Sequence, residues 1–72
     1  MWTKVSRGTM PPDMEGVIVT AENGKDRYVI LEARYNQRIN SWEFLCEEKY
    51  NYWENIQDKV THWMPIPEPA KD

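Results

Sequence analysis

The clearest apolar pattern in the chain is a short β-branched run, residues 17–21, between Gly16 and an Asn23-Gly24 pair. β-branched residues are enriched in strands, and Asn-Gly favours the positive φ angles of a type I′ hairpin turn. The pattern therefore predicts a β-hairpin whose second strand covers residues 27–35.

Alternation of side chains with a period of two predicts which residues share a face of each strand. In the return strand, one face is expected to carry Val29, Leu31, Ala33 and Tyr35, and the other Tyr28, Ile30, Glu32 and Arg34. Residues 41–46 predict a third strand, with Trp42, Phe44 and Cys46 on one face. Together these segments indicate an antiparallel meander.

The remaining segments are less regular. Residues 2–5 predict a short edge strand and residues 60–64 a last strand, which would bring Trp2 and Trp63 close together. Residues 47–59 contain aromatic residues at helical spacing, and we expect a short helix or an ordered loop there. Three spaced prolines, at positions 65, 67 and 69, then impose an extended conformation on the segment after the last strand. We expect this segment to pack on its own domain.

The predicted fold is one domain, residues 1–72, with residues 70–72 frayed. Its class is mainly β, a small antiparallel sheet of three to five strands with at most one short helix. A domain this small buries only about 60% of the surface of its unfolded chain. Four Trp, four Tyr and one Phe are therefore expected to supply most of the core.

Composition narrows the classes of function. The single cysteine, Cys46, excludes an intrachain disulfide, and with His62 as the only histidine we expect no metal and no cofactor. The net charge of −3 disfavours binding to nucleic acid. No apolar run approaches the ~20 residues of a membrane span, so we expect a cytoplasmic protein in a reducing compartment.

Two passages carry a more specific pattern. The first is Trp2-x-x-Val5-Ser6 followed by Met10-Pro11-Pro12, and the second is Val-Thr-His-Trp-Met-Pro-Ile-Pro-Glu-Pro over residues 60–69. They resemble a family of short phage and prophage proteins of enteric bacteria, domain of unknown function five-five-one. The chain departs from that family in having Met10 for Leu and a longer, more aromatic segment at 47–59. The resemblance implies a β fold and a location in a bacterial host cell, but no activity.

Cys46 and His62 are the only nucleophile and base of the kind used in cysteine catalysis. A free cysteine on an apolar strand face more often acts as a small hydrophobe, and a histidine inside a strand is more often simply hydrogen bonded. We therefore predict no enzymatic activity. The carboxylates of Glu47 and Glu48 are likewise interpreted as a solvated acidic surface rather than as catalytic acids or bases.

The best candidates for a contact surface are Tyr50, Tyr52 and Trp53, with His62 and Trp63 of the tail pattern as further candidates. Aromatic residues are enriched at interface hot spots, although Trp53 serves equally well as core. The leading hypothesis is a non-enzymatic phage or prophage accessory protein that binds a host or phage protein through an aromatic, acidic surface. The alternative is a homo-oligomer that binds a nucleotide-like small molecule.

Overall fold

The computed structural model describes residues 1–70, which form a single antiparallel sheet of six strands. The mainly β prediction is confirmed, but the predicted number of three to five strands is too low. Within residues 1–70 the only helical piece is a 3₁₀ turn, Val5–Arg7. Lys71 and Asp72, part of the segment expected to fray, lie outside the described residues. The strands are β1 (Thr3–Lys4), β2 (Val17–Glu22), β3 (Arg27–Asn36), β4 (Ser41–Glu47), β5 (Asn51–Asn55) and β6 (Lys59–Pro65).

The spatial order of the strands is β1-β6-β2-β3-β4-β5. β2, β3 and β4 form the predicted meander, β5 extends it by one strand, and β6 inserts between β1 and β2. Thr3 pairs with Trp63 in this arrangement, so both ends of the chain meet as expected.

The β2–β3 hairpin is present, but its turn differs from the predicted type. Four residues, 23–26, connect the strands, and only Gly24 among them has a positive φ, of 91°. The Asn23 side-chain oxygen instead accepts hydrogen bonds from the backbone N–H groups of Lys25 and Asp26, at 3.1 and 2.9 Å. Asn23 thus closes the turn through its side chain, as Asx turns do.

A bulge in β3 changes the predicted faces of that strand. Val17 pairs with Ala33 and Val19 with Ile30, so three steps on β3 match two on β2. Because an extra residue reverses the alternation, Ile30 joins the buried face, and Leu31 is 67% exposed. The assignment of Leu31 and Ala33 to one face was wrong for this reason.

The segment expected as a helix or ordered loop contains strand β5. Its residues Asn51–Asn55 pair with the outer edge of β4, with Leu45 opposite Trp53. A few aromatic residues at helical spacing do not offset the cost of nucleating a short helix, whereas β4 offers a complete row of hydrogen-bonding groups. Tertiary pairing therefore overrides the local spacing.

The hydrophobic core lies on one face of the sheet and consists of Val17, Val19, Ala33, Val60 and Trp63. The chain between β1 and β2 runs along this region, because the Met14 N–H donates to the Tyr35 carbonyl at 2.9 Å and Pro11 is buried. The proline-rich exit contacts its own domain through Ile66, whose Cδ1 lies 3.4 Å from an ideal Cβ position on Gly16. No helix within residues 1–70 is long and apolar enough to cross a membrane.

Candidate functional site

The aromatic residues predicted as a contact surface are divided by β5 between the two faces of the sheet. Tyr52 and Trp53 are neighbours in a strand, so their side chains point in opposite directions. Tyr50 is 74% exposed and its ring lies 6.2 Å from that of Tyr52, measured between centroids. These two tyrosines remain together at the surface, whereas Trp53 does not share their face.

His62 and Trp63, the two candidates taken from the tail pattern, lie elsewhere in the sheet. Trp63 is buried and its indole N–H donates to the Thr9 carbonyl at 2.9 Å, so this residue acts in the core. The His62 Nδ1 lies 2.9 Å from the Thr61 hydroxyl oxygen. Both belong to β6, which β2, β3 and β4 separate from β5. The structure therefore does not bring His62 or Trp63 to the β5 aromatics.

Cys46 and His62 are also separated in the structure. Cys46 lies on β4, on the face that carries Phe44, whereas His62 neighbours Trp63 on β6 and points away from the core face. Burial, together with a hydrogen bond from the thiol to Glu54 at 3.4 Å, raises the pKa of Cys46. A raised thiol pKa lowers the thiolate fraction, which is the opposite of what a nucleophilic cysteine requires.

A concavity arises where β3 and β4 diverge. These strands pair only from Ala33 to Asn36 of β3, and the rest of β4 follows β5 instead. A groove of about 910 Å³ lies at this divergence, and the connection between β5 and β6 contributes to its lining. We call it the acidic groove. Its lining residues are Tyr28, Ile30, Ile39, Glu43, Phe44, Trp53, Glu54, Asn55, Ile56, Gln57 and Asp58.

All the charged residues that line the acidic groove are negative. It contains three carboxylates, and none of its described lining residues is Lys or Arg. Glu43 is neutralised by Arg34, whose Nε lies 2.8 Å from the Glu43 carboxylate. Within residues 1–70, Glu54 and Asp58 have no Lys or Arg side chain within 4.0 Å. The groove therefore carries an uncompensated negative charge beside apolar and aromatic side chains.

Asp58 is held in place by two donors. The Tyr28 hydroxyl donates to its carboxylate at 2.5 Å, and the Asn23 amide donates to the same oxygen at 3.4 Å. The hydrogen bond to Asp58 is the main reason that the pKa of Tyr28 is raised above its usual value. Tyr28 stays protonated at neutral pH and fixes the Asp58 carboxylate in the lining of the groove.

The Arg34–Glu43 ion pair also positions Trp53. The Arg34 guanidinium carbon lies 4.0 Å from the centre of the Trp53 ring, in a cation–π contact. The side chains of Arg34 and Glu43 are only 21% and 12% exposed. This cluster joins β3, β4 and β5 beside the divergence and so stabilises the wall of the acidic groove.

Comparison with known proteins places the chain in a family. The sequence matches the family described as "Protein of unknown function (DUF551)" over residues 1–71. The chain belongs to this family. The match confirms the resemblance seen in the sequence and covers nearly the whole chain. No curated protein and no solved structure matches the chain.

Three groove residues, Tyr28, Glu54 and Asp58, were not predicted from the sequence. Tyr28 and Asp58 are 30 positions apart and meet only because β6 returns beside β2. The available signal is the acidic character of the segment around β5, which by itself indicates only a solvated surface. Within residues 1–70 no three His, Cys, Asp or Glu side chains lie close enough together to hold a metal ion.

Proposed function

We propose that this protein is a non-enzymatic binding protein, and that the acidic groove binds a basic, extended segment of a partner protein. The observation that carries the proposal is the groove lining, which combines the unneutralised carboxylates of Glu54 and Asp58 with apolar side chains. A lysine or arginine side chain is complementary to both features. Its stem contacts apolar surface while its charged end reaches a carboxylate.

The lining of the groove fits a basic peptide better than a nucleotide-like ligand. Ile30, Phe44 and Ile56 supply apolar surface along the lining, and the carboxylates of Glu54 and Asp58 lie on strand β5 and on the connection that follows it. The same carboxylates would repel the phosphates of a nucleotide. Complementary charge also accelerates encounter with a basic partner, in a manner that salt weakens.

The biological setting belongs to the same proposal. The family resemblance points to phage and prophage proteins, so the partner would be a host or phage protein in the bacterial cytoplasm. A small acidic accessory protein of this kind acts by occupying a basic surface of its partner. The exposed Tyr50 and the half-buried Tyr52 do not line the groove, but they pair at the surface just before and within β5 and would extend the contact surface.

A peptide titration tests the groove directly. A fluorescently labelled, extended Lys/Arg-rich peptide is titrated with the protein, and an Asp/Glu-rich peptide of the same length serves as the comparison. The expected result is saturable binding of the basic peptide only, weakening as salt is raised. The double variant Glu54→Gln/Asp58→Asn should bind roughly tenfold more weakly, because it removes both charges with little change of shape.

The matched control is Glu15→Gln/Glu68→Gln, which changes net charge by the same amount outside the groove. It should bind like the unaltered protein. Equal loss of binding in both double variants would show that only net charge matters and would reject the groove. Equal binding of the acidic peptide would reject recognition of a cation.

A further inference from the structure

The two edges of the sheet differ in the length of strand that they leave open. At one edge, β1 has only two residues before the 3₁₀ turn begins. At the other edge, β5 has five residues without proline or lysine, and within residues 1–70 it pairs only with β4. Proteins usually protect such edges with charge, proline, bulges or a covering segment. In the described part of the chain, β5 has no proline and no bulge, and its single charge is that of Glu54.

The register shows which backbone groups of β5 face outward. The Ile56 N–H donates to the Trp42 carbonyl at 2.8 Å, in line with the pairing of Phe44 with Glu54. Hydrogen-bonded and non-hydrogen-bonded pairs alternate along an antiparallel ladder. Glu54 and Tyr52 therefore bond to β4.

The remaining β5 residues, Asn51, Trp53 and Asn55, direct their N–H and C=O groups away from the sheet. Each is opposite a β4 residue in a non-hydrogen-bonded pair, namely Glu47, Leu45 and Glu43. Three evenly spaced residues thus present donors and acceptors at one edge.

We propose that this edge pairs with the β5 strand of a second copy of the chain, antiparallel, about a twofold axis at Trp53. Asn51 then lies opposite Asn55 of the second copy, and Trp53 opposite its own equivalent. Every outward-facing backbone group is used, because each of these pairs exchanges two hydrogen bonds. Tyr52 lies opposite Glu54 of the second copy, in a non-hydrogen-bonded position where side chains come closest.

The sequence of β5 is complementary to itself in this register and not in its neighbours. Moving the axis to Glu54 would place two carboxylates directly opposite each other, which is destabilising. Moving it to Tyr52 would leave the outward groups of Asn55 without partners on β5. Only the axis at Trp53 combines full backbone pairing, a tyrosine hydroxyl facing a carboxylate, and paired amides at both ends.

The small size of the domain also favours a second copy of the chain as the partner of this edge strand. A chain of 72 residues has limited core, and self-association is one of the usual ways in which such domains gain stability. Pairing of one short strand buries less surface than a standard interface, so we expect dissociation in roughly the micromolar range. The pairing does not depend on the function proposed for the acidic groove.

Sedimentation velocity over a dilution series, with a matched pair of variants, tests this pairing. Asn51→Pro removes an outward N–H and adds a ring at the edge, but leaves the ladder with β4 complete. Asn51→Ala keeps the N–H. The unaltered protein and Asn51→Ala should dimerise alike, and Asn51→Pro should associate at least about tenfold more weakly. Equal association of all three, or a monomeric unaltered protein at ~100 µM, would overturn the proposal.

A second measurement keeps the proposal testable if Asn51→Pro folds poorly. In a Cys46→Ser background, Trp53→Cys would place two thiols opposite each other across the axis, within the Cα separation that disulfides accept. Asn55→Cys would place them several residues apart along the ladder. Oxidation should cross-link the first variant and not the second, whereas equal cross-linking of both would reject the register.

Discussion

Replacing Trp63 with phenylalanine separates the ring of this residue from its hydrogen bond. Trp63 is 8% exposed, and its indole N–H donates to the Thr9 carbonyl at 2.9 Å. Phenylalanine keeps an aromatic ring but leaves that carbonyl without its donor, which costs about 1–2 kcal/mol. The smaller ring also buries roughly 30 Å² less apolar surface, or about 1 kcal/mol. The expected loss is therefore about 2–3 kcal/mol, against a typical net stability of ~3–5 kcal/mol for a domain of this size.

Urea denaturation followed by far-UV circular dichroism measures this loss, at protein concentrations low enough to keep the chain monomeric. Trp2→Phe is the matched control, because Trp2 is 41% exposed and its loss should change the free energy of unfolding by less than about 0.5 kcal/mol. If the two variants have the same urea midpoint, the hydrogen bond to Thr9 does not contribute to stability and the reasoning is refuted.

Two further predictions concern the polar contacts of the sheet. Arg34→Ala should lower the free energy of unfolding in urea by about 1–3 kcal/mol, because it leaves the largely buried Glu43 carboxylate unpaired. Arg27→Ala, in a longer and more exposed ion pair, should cost less than about 0.5 kcal/mol. Equal losses would contradict this ranking. Because the pKa of Tyr28 is raised in the folded state, its contribution to stability is present below the ordinary tyrosine pKa of about 10 and is lost as pH rises through the folded pKa. Tyr28→Phe should therefore weaken the alkaline fall of the melting temperature, and a fall identical to that of the unaltered protein would contradict the assignment.

The local sequence predicted β2, β3 and β4, whose pairing is set by neighbours in the chain, and it also predicted the strands β1 and β6 at the two ends. The β2–β3 hairpin follows from a β-branched run and a turn pair, and β4 follows from alternation around Trp42 and Phe44. The bulge between the Val17–Ala33 and Val19–Ile30 pairs was not predictable from β3 alone, because the position of the extra residue is decided by what packs against the neighbouring strand. The helical spacing in β5 was misleading for a related reason, since the open edge of β4 decided its structure.

For the candidate site too, the sequence predicted features that depend on neighbouring residues but not contacts between distant segments. The sequence indicated that aromatic and acidic residues near β5 form a surface, but it could not assign them to faces without knowing that residues 51–55 are extended. Tyr28 and Asp58 meet across the sheet. Such a contact depends on where β6 inserts, and a single sequence carries no direct signal for that position.

The insertion of β6 between β1 and β2 has a consequence for synthesis on the ribosome. Strands β2 to β5 can pair as they emerge, but Val60 and Trp63, which complete the core, follow them in the chain. Until β6 has left the exit tunnel, one side of β2 exposes unsatisfied backbone groups next to apolar side chains. Stable folding of this domain is therefore expected only after translation of β6, and chaperones that hold nascent chains would act in that interval.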